Sequence, residues 1–145
     1  MQPLPHHYHV QAQASVDSLV QLNAGELETL ESAPPVQFGG DGKHWSPEEF
    51  LLAAVADCYI LSFKAVASGS GFAWQDLTCA VEGVLEREGK VTRFTRYQLN
   101  VVLTCAAGTD KGKAQKLLEK AESVCLVSSS LNGTFELHTD IIEQV

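Results

Sequence analysis

SPEEFLLAAVADCYILSFKAVA, residues 46–67, opens with the grammar of a helix start and then stays apolar for most of its length. Ser46 can cap the first turn, Pro47 suits the first helical position, and Glu49 stands three residues after the cap. From Phe50 onward the stretch is apolar nearly all round, the mark of a helix enclosed by protein rather than one lying on a surface. Cys58 sits in its middle. A second helical stretch, far downstream, runs through Glu122-Ser123-Val124 and places Cys125 near its last turn. These two cysteines, each on a helix and each walled by apolar residues, are the leading candidates for chemistry.

The rest of the composition narrows the setting. A chain of 145 residues is expected to form one domain, residues 1–145, large enough for a real core. A hydrophobic content of 45% with 19% charged residues is that of a soluble globular protein. The formal net charge of −8 argues against nucleic acid and anionic membrane as partners, since both want a basic patch. Residues 50–67 approach the length of a membrane span, but Asp57 and Lys64 interrupt them, so a buried helix is the better reading. Residues 1–10 are polar, with two prolines and three histidines, and do not resemble an export signal. Four cysteines in that context imply free thiols in a reducing cytoplasm.

Along the chain, residues 8–30 read as strands. Tyr8, Val10, Ala12 and Ala14 alternate with polar neighbours, Asp17-Ser18 can turn, Leu19 to Leu22 can return, and residues 26–30 can add a third short strand. Residues 32–44, with Pro34-Pro35 and Gly39-Gly40-Asp41-Gly42, are a loop. After the central helix, Gly69 and Gly71 break the pattern. Leu77, Cys79, Val81, Gly83 and Leu85 then alternate with polar residues, Val84 being the exception. Glu88-Gly89-Lys90 turns the chain, and Tyr97, Leu99, Val101, Leu103 and Cys105 return it. Asp110 begins a helix with the stripe Leu117, Leu118, Ala121, Val124 and Cys125, and a last strand passes through Phe135, Leu137, Thr139 and Ile141. The fold class is α+β: β-meander, helix, β-hairpin, helix and strand, with two central helices packed on antiparallel sheet.

Cys79 and Cys105 fall on the apolar face of the hairpin, where cysteine behaves as a small hydrophobe. Cys58 and Cys125 could also be packing. A reactive role needs a thiolate, and because burial raises a thiol's pKa, it needs a cation or hydrogen-bond donors to offset the desolvation. A second thiol within reach lets an oxidised first sulfur close to a disulfide instead of over-oxidising.

Ser46-Pro47-Glu48-Glu49-Phe50-Leu51 leading to Ala56-Asp57-Cys58, with Val124-Cys125-Leu126-Val127-Ser128 downstream, resembles the OsmC/Ohr family of osmotically inducible and organic-hydroperoxide-resistance proteins. The resemblance runs from the first strand to the last. It implies an intertwined homodimer with its two buried helices at the centre and its sites at the subunit interface. It further implies thiol-dependent reduction of organic hydroperoxides: Cys58 as the peroxidatic cysteine, Cys125 as the resolving one, and an external dithiol, of lipoyl type in the best-known members, as reductant. No bound cofactor or metal is implied. Glu48 matches the family's glutamate after proline. Ten residues of helix separate it from Cys58, about 15 Å along the axis, so it could serve that thiol only from the partner subunit.

The chain departs from the family at one place. Peroxidatic members carry an arginine in the N-terminal strands, and here no arginine precedes Arg87; the stretch reads Ala14-Ser15-Val16-Asp17-Ser18. Asp57 adds a negative charge beside Cys58, and donors such as His7, His9 or Lys43 are the candidates to replace the arginine. The histidines at 6, 7 and 9 read as a solvated terminus rather than a metal site, and Gly39-Gly40-Asp41-Gly42-Lys43 as a turn rather than a phosphate loop. The sequence thus supports a thiol peroxidase first. The alternative is a non-catalytic relative that binds a lipophilic small molecule in the interface cleft.

Overall fold

A computed structural model describes every residue, Met1–Val145. The chain forms two compact units, Met1–Leu51 and Leu52–Val145, and the long helix begins in the first and continues through the second.

In the first unit three short strands, β1 (Gln11–Gln13), β2 (Val20–Asn23) and β3 (Leu30–Ser32), pair antiparallel in that order. This is the expected meander, with shorter strands and the third displaced: residues 26–29 remain in the connection, where the Leu27 amide donates to the Ala24 carbonyl at 3.2 Å. A single 3₁₀ turn, Val36–Phe38, occupies the expected loop. Helix α1 (Pro47–Gly69) starts as its sequence says. The Glu49 amide donates to Ser46 Oγ at 3.3 Å and the Ser46 amide to Glu49 Oε2 at 3.1 Å, a reciprocal capping box that satisfies two orphan donors of the first turn.

The second unit holds a sheet of three long strands in the order β4 (Asp76–Glu88), β5 (Val91–Ala106), β6 (Thr134–Gln144). β4 and β5 form the hairpin read from the sequence, turning at Gly89, whose φ of +63° suits glycine. Their register shifts between Val84 and Leu85, so the one apolar exception in the alternation marks a β-bulge. Beyond it the faces exchange, leaving Leu85 on the exposed side rather than in the core. The sheet is mixed rather than wholly antiparallel, because β6 pairs parallel with β5, Arg96 opposite Thr134 through Ala106 opposite Gln144. The cause is the intervening helix α2 (Lys111–Ser123), which carries the chain back to the start of β5 as parallel strands require.

The core lies in this unit. Tyr97, Leu99, Val101, Leu103 and Cys105, alternate residues of β5, are all nearly or fully buried, and α2 packs Ala114, Leu117, Leu118 and Ala121 among them. From α1 come Val55, Tyr59, Phe63 and Ala67, one stripe at every fourth residue. The Tyr59 hydroxyl donates to the Leu118 carbonyl at 3.0 Å, satisfying the polar end of a buried aromatic and tying α1 to α2. That stripe is the fully buried part of α1, with Leu52, Ile60 and Val66 partly buried beside it. Leu61, on another face, is 57% exposed, so a helix apolar all round is only partly covered by its own polypeptide.

Candidate functional site

Cys58 and Cys125 come together in the second unit. Cys58 is half-buried on α1, one residue before Tyr59, so the core stripe fixes its direction. Cys125 does not belong to the helix expected to carry it. α2 stops at Ser123, whose hydroxyl donates to the Lys120 carbonyl at 2.7 Å. Cys125 is extended (φ −67°, ψ 115°) and is the residue from which a one-turn helix, α3 (Leu126–Ser129), departs. It is fully buried. A helix start leaves backbone N–H groups without intrahelical partners, and those of Leu126 and Val127 bear on the acidity of Cys58.

The two thiols differ in acidity. Burial raises Cys58, but the Val127 amide, the Cys125 thiol, the Leu126 amide and the Ser62 hydroxyl together outweigh it and hold Cys58 below the ordinary thiol value. Cys125 is raised, mainly by burial; Ser128 lowers it through side chain and backbone, and the proximity of Cys58 raises it again. Cys58 is therefore the first of the pair to ionise, with Cys125 as the neighbouring S–H donor. The groups that favour its thiolate are neutral dipoles rather than a cation. Asp57, the adjacent charge of concern, is exposed to solvent.

Polar groups gather around the buried Cys125. Ser128, 7% exposed, donates from Oγ to Cys125 Sγ at 3.3 Å. The Cys125 amide donates to the Glu122 carbonyl at 3.2 Å. One oxygen of the Glu122 carboxyl, Oε2, is buried with no hydrogen-bond partner. Burial pushes that carboxyl up, and the Ser128 hydroxyl pulls it part of the way back. Cys79, packed against the core as expected, is pushed up to about 12, first by burial and then by Glu122 and Cys125. Cys105 is buried and also raised by burial. Neither is suited to supply a thiolate near neutral pH.

Glu48 occupies the first turn of α1, in the first unit. It lines a shallow, mostly apolar cavity of about 260 Å³ with Val20, Ser32, Pro34, Pro35 and Phe38, and its Oε2 is buried without a partner. The structure brings Cys58 and Cys125 together but leaves Glu48 ten helical residues away. Glu122, Ser128 and the α3 amides were not identified from the sequence. Glu122 and Ser128 flank Cys125 in the sequence as Glu-x-x-Cys-x-x-Ser, but nothing in that spacing says that the helix breaks between them and turns Ser128 toward the sulfur.

A family model described as OsmC-like protein matches residues 40–139. The chain is 31% identical over 140 residues to the uncharacterised protein YmaD of Bacillus subtilis (strain 168), covering 93% of each. Among solved structures it is similar to an OsmC-like protein of unknown function from Vibrio cholerae, with a TM-score of 0.80, 18% identity, and coverage of 95% of this chain and 100% of that one. It is also similar to the organic hydroperoxide resistance protein OsmC from Legionella pneumophila, with a TM-score of 0.74, 22% identity, and coverage of 97% and 99%. At those identities the two structures speak to the fold alone.

Proposed function

The chain belongs to the OsmC-like family, and from that premise we propose that it is a cytoplasmic thiol peroxidase that reduces organic hydroperoxides, part of a defence against oxidative stress. The observation that carries the reading is the unequal pair of thiols: a lowered Cys58 beside a raised, buried Cys125. The Cys58 thiolate attacks the terminal oxygen of ROOH, the O–O bond breaks, the alkoxide leaves and takes a proton as ROH, and Cys58 becomes a sulfenic acid. Cys125 then attacks the Cys58 sulfur, displacing water and closing a disulfide that an external dithiol, of lipoyl type by family analogy, reduces again. The α3 amides and Ser62 take the part that an N-terminal arginine plays in peroxidatic relatives.

The working unit in this reading is a homodimer. α1 buries one stripe in its own chain and leaves other apolar positions such as Leu61 uncovered, and a second copy is the economical cover. Glu48, with its unpartnered buried oxygen, is assigned to the partner subunit's thiol, since helix geometry keeps it from its own. Thiol counting on native protein tests the chemistry. One equivalent of cumene hydroperoxide should remove two free thiols per chain within seconds, and excess dithiol should restore them. If hydroperoxide is consumed no faster than by free cysteine, the peroxidase reading fails and the binding of a lipophilic molecule takes its place.

A further inference from the structure

We propose that Glu122, acting through the Ser128 hydroxyl, accepts the proton that Cys125 sheds when its sulfur closes the disulfide on Cys58. The inference rests on the thiol-peroxidase reading for its physiological setting, but its geometry stands apart from it. Ser128 Oγ donates to Cys125 Sγ at 3.3 Å and also bears on the Glu122 carboxyl, whose Oε2 is enclosed without a hydrogen-bond partner of its own. A buried carboxylate oxygen without a donor is costly, and proteins seldom keep one without use.

The need for such a group follows from the acidity of the pair. Cys125 is a poor second nucleophile because burial, the largest influence on it, holds its proton on even once Cys58 has become a neutral sulfenic acid. Other proton-bearing groups face Glu122. Tyr59, on α1, has committed its hydroxyl to the Leu118 carbonyl, and burial raises it first, with Cys79 and Glu122 adding to the effect. Cys79, on β4, is raised to about 12. Neither releases a proton near neutral pH, which leaves Cys125, through Ser128, as the source. A hydroxyl can accept from the thiol and donate to the carboxylate in one rotation. Burial raises the Glu122 carboxyl, moving it toward the range where a base works best near neutrality.

The step balances without an added oxidant. Cys58–SOH and Cys125–SH become Cys58–S–S–Cys125 and water. The electron pair of the Cys125 S–H bond forms the S–S bond, and its proton passes by Ser128 to Glu122. The S–O pair leaves with oxygen as hydroxide, which takes up one proton to become water. Glu122 afterwards returns its proton to solvent, so one proton enters and one leaves. Cys125 is oxidised and the Cys58 sulfur reduced.

Glu122→Gln keeps the shape and removes the base. After one equivalent of cumene hydroperoxide, the variant should form its Cys58 sulfenic acid at the wild-type rate, trapped as a dimedone adduct. It should then close the disulfide at least about tenfold more slowly at neutral pH. The gap should shrink as pH rises, because hydroxide then removes the Cys125 proton directly. Glu122→Asp should recover part of the rate. Ser128→Ala should slow closure comparably and add little to Glu122→Gln, and it carries the test if the glutamine variant does not fold. A parallel series with diamide, which adds to the Cys58 thiolate and leaves Cys125 to displace it, reads the same proton loss without hydroperoxide. Slow closure by Glu122→Gln with diamide, in a protein that ignores hydroperoxide, would sink the peroxidase and keep the proton route. Closure by both variants at the wild-type rate, or a slowing equal at every pH, overturns the proposal.

Discussion

Cys58→Ser is expected to lower hydroperoxide consumption by about a thousandfold or more, to the background of a protein with no activated thiol. A serine hydroxyl at this position would meet the same donors, the α3 amides, the Cys125 thiol and Ser62. Those donors can hold a sulfur below its ordinary acidity, but no such set brings an alcohol into the range where it ionises near neutral pH. The substitution is also small and half-exposed, so the melting temperature should stay within a degree or two. Loss of activity with stability kept places the effect on chemistry. Cumene hydroperoxide consumption in the presence of dithiothreitol, with a thermal melt on the same sample, reads both. An unchanged rate in the serine variant would remove Cys58 from the mechanism.

Leu118→Ala is expected to cost roughly 3 kcal/mol of folding stability. Leu118 is fully buried in the core of the second unit, where α2 meets α1 and the sheet, and its carbonyl holds the Tyr59 hydroxyl. Truncation removes most of a buried side chain and leaves a void that neighbours on three elements cannot fill together. For a chain of this length that is about 10 °C in melting temperature, measured at one fixed protein concentration because association adds to stability. Disulfide closure should slow as well, since α2 leads directly to Cys125. A shift of only a degree or two would mean that the α1–α2 contact is not the centre of the core.

The parts of the molecule legible in the sequence are those governed by neighbours along the chain. Ser46 and Glu49 announced the capping box because both partners lie within one turn. Alternation from Tyr97 to Cys105 gave the buried face of β5 because a strand inside one sheet has a strict period of two. The departures arise where distant partners decide. Val124 and Cys125 continued the helical stripe, yet α2 ends before them, since nothing in apolar spacing registers Ser123 bonding back to a carbonyl of its own helix. The parallel pairing of β6 depends on which strand the chain returns to, not on the composition of β6. The uniform apolarity of α1 implied enclosure, yet one stripe of it is fully buried, Leu52, Ile60 and Val66 are partly buried against the core, and Leu61 is exposed.

The candidate site divides the same way. Residue type picked out Cys58 and Cys125, but the absence of an N-terminal arginine pointed to histidines and lysine as replacement donors. The donors that bear on Cys58 in the second unit are main-chain amides at Leu126 and Val127, and every residue except proline carries an amide. Sequence cannot flag a group that all residues share. Glu122 escaped for a related reason, since a glutamate near a helix end is ordinarily a solvated charge.

The central claim is that two sulfurs, 67 positions apart in the chain (125 − 58), are neighbours with divided roles. Peptide mapping under non-reducing conditions, after one equivalent of cumene hydroperoxide and alkylation of the remaining thiols, tests it most directly. The expected result is a single cross-linked species joining the peptides that carry Cys58 and Cys125, with Cys79 and Cys105 still alkylated. Cys58 recovered as sulfinic acid with Cys125 still a free thiol, or a cross-link through Cys79 or Cys105, would contradict it.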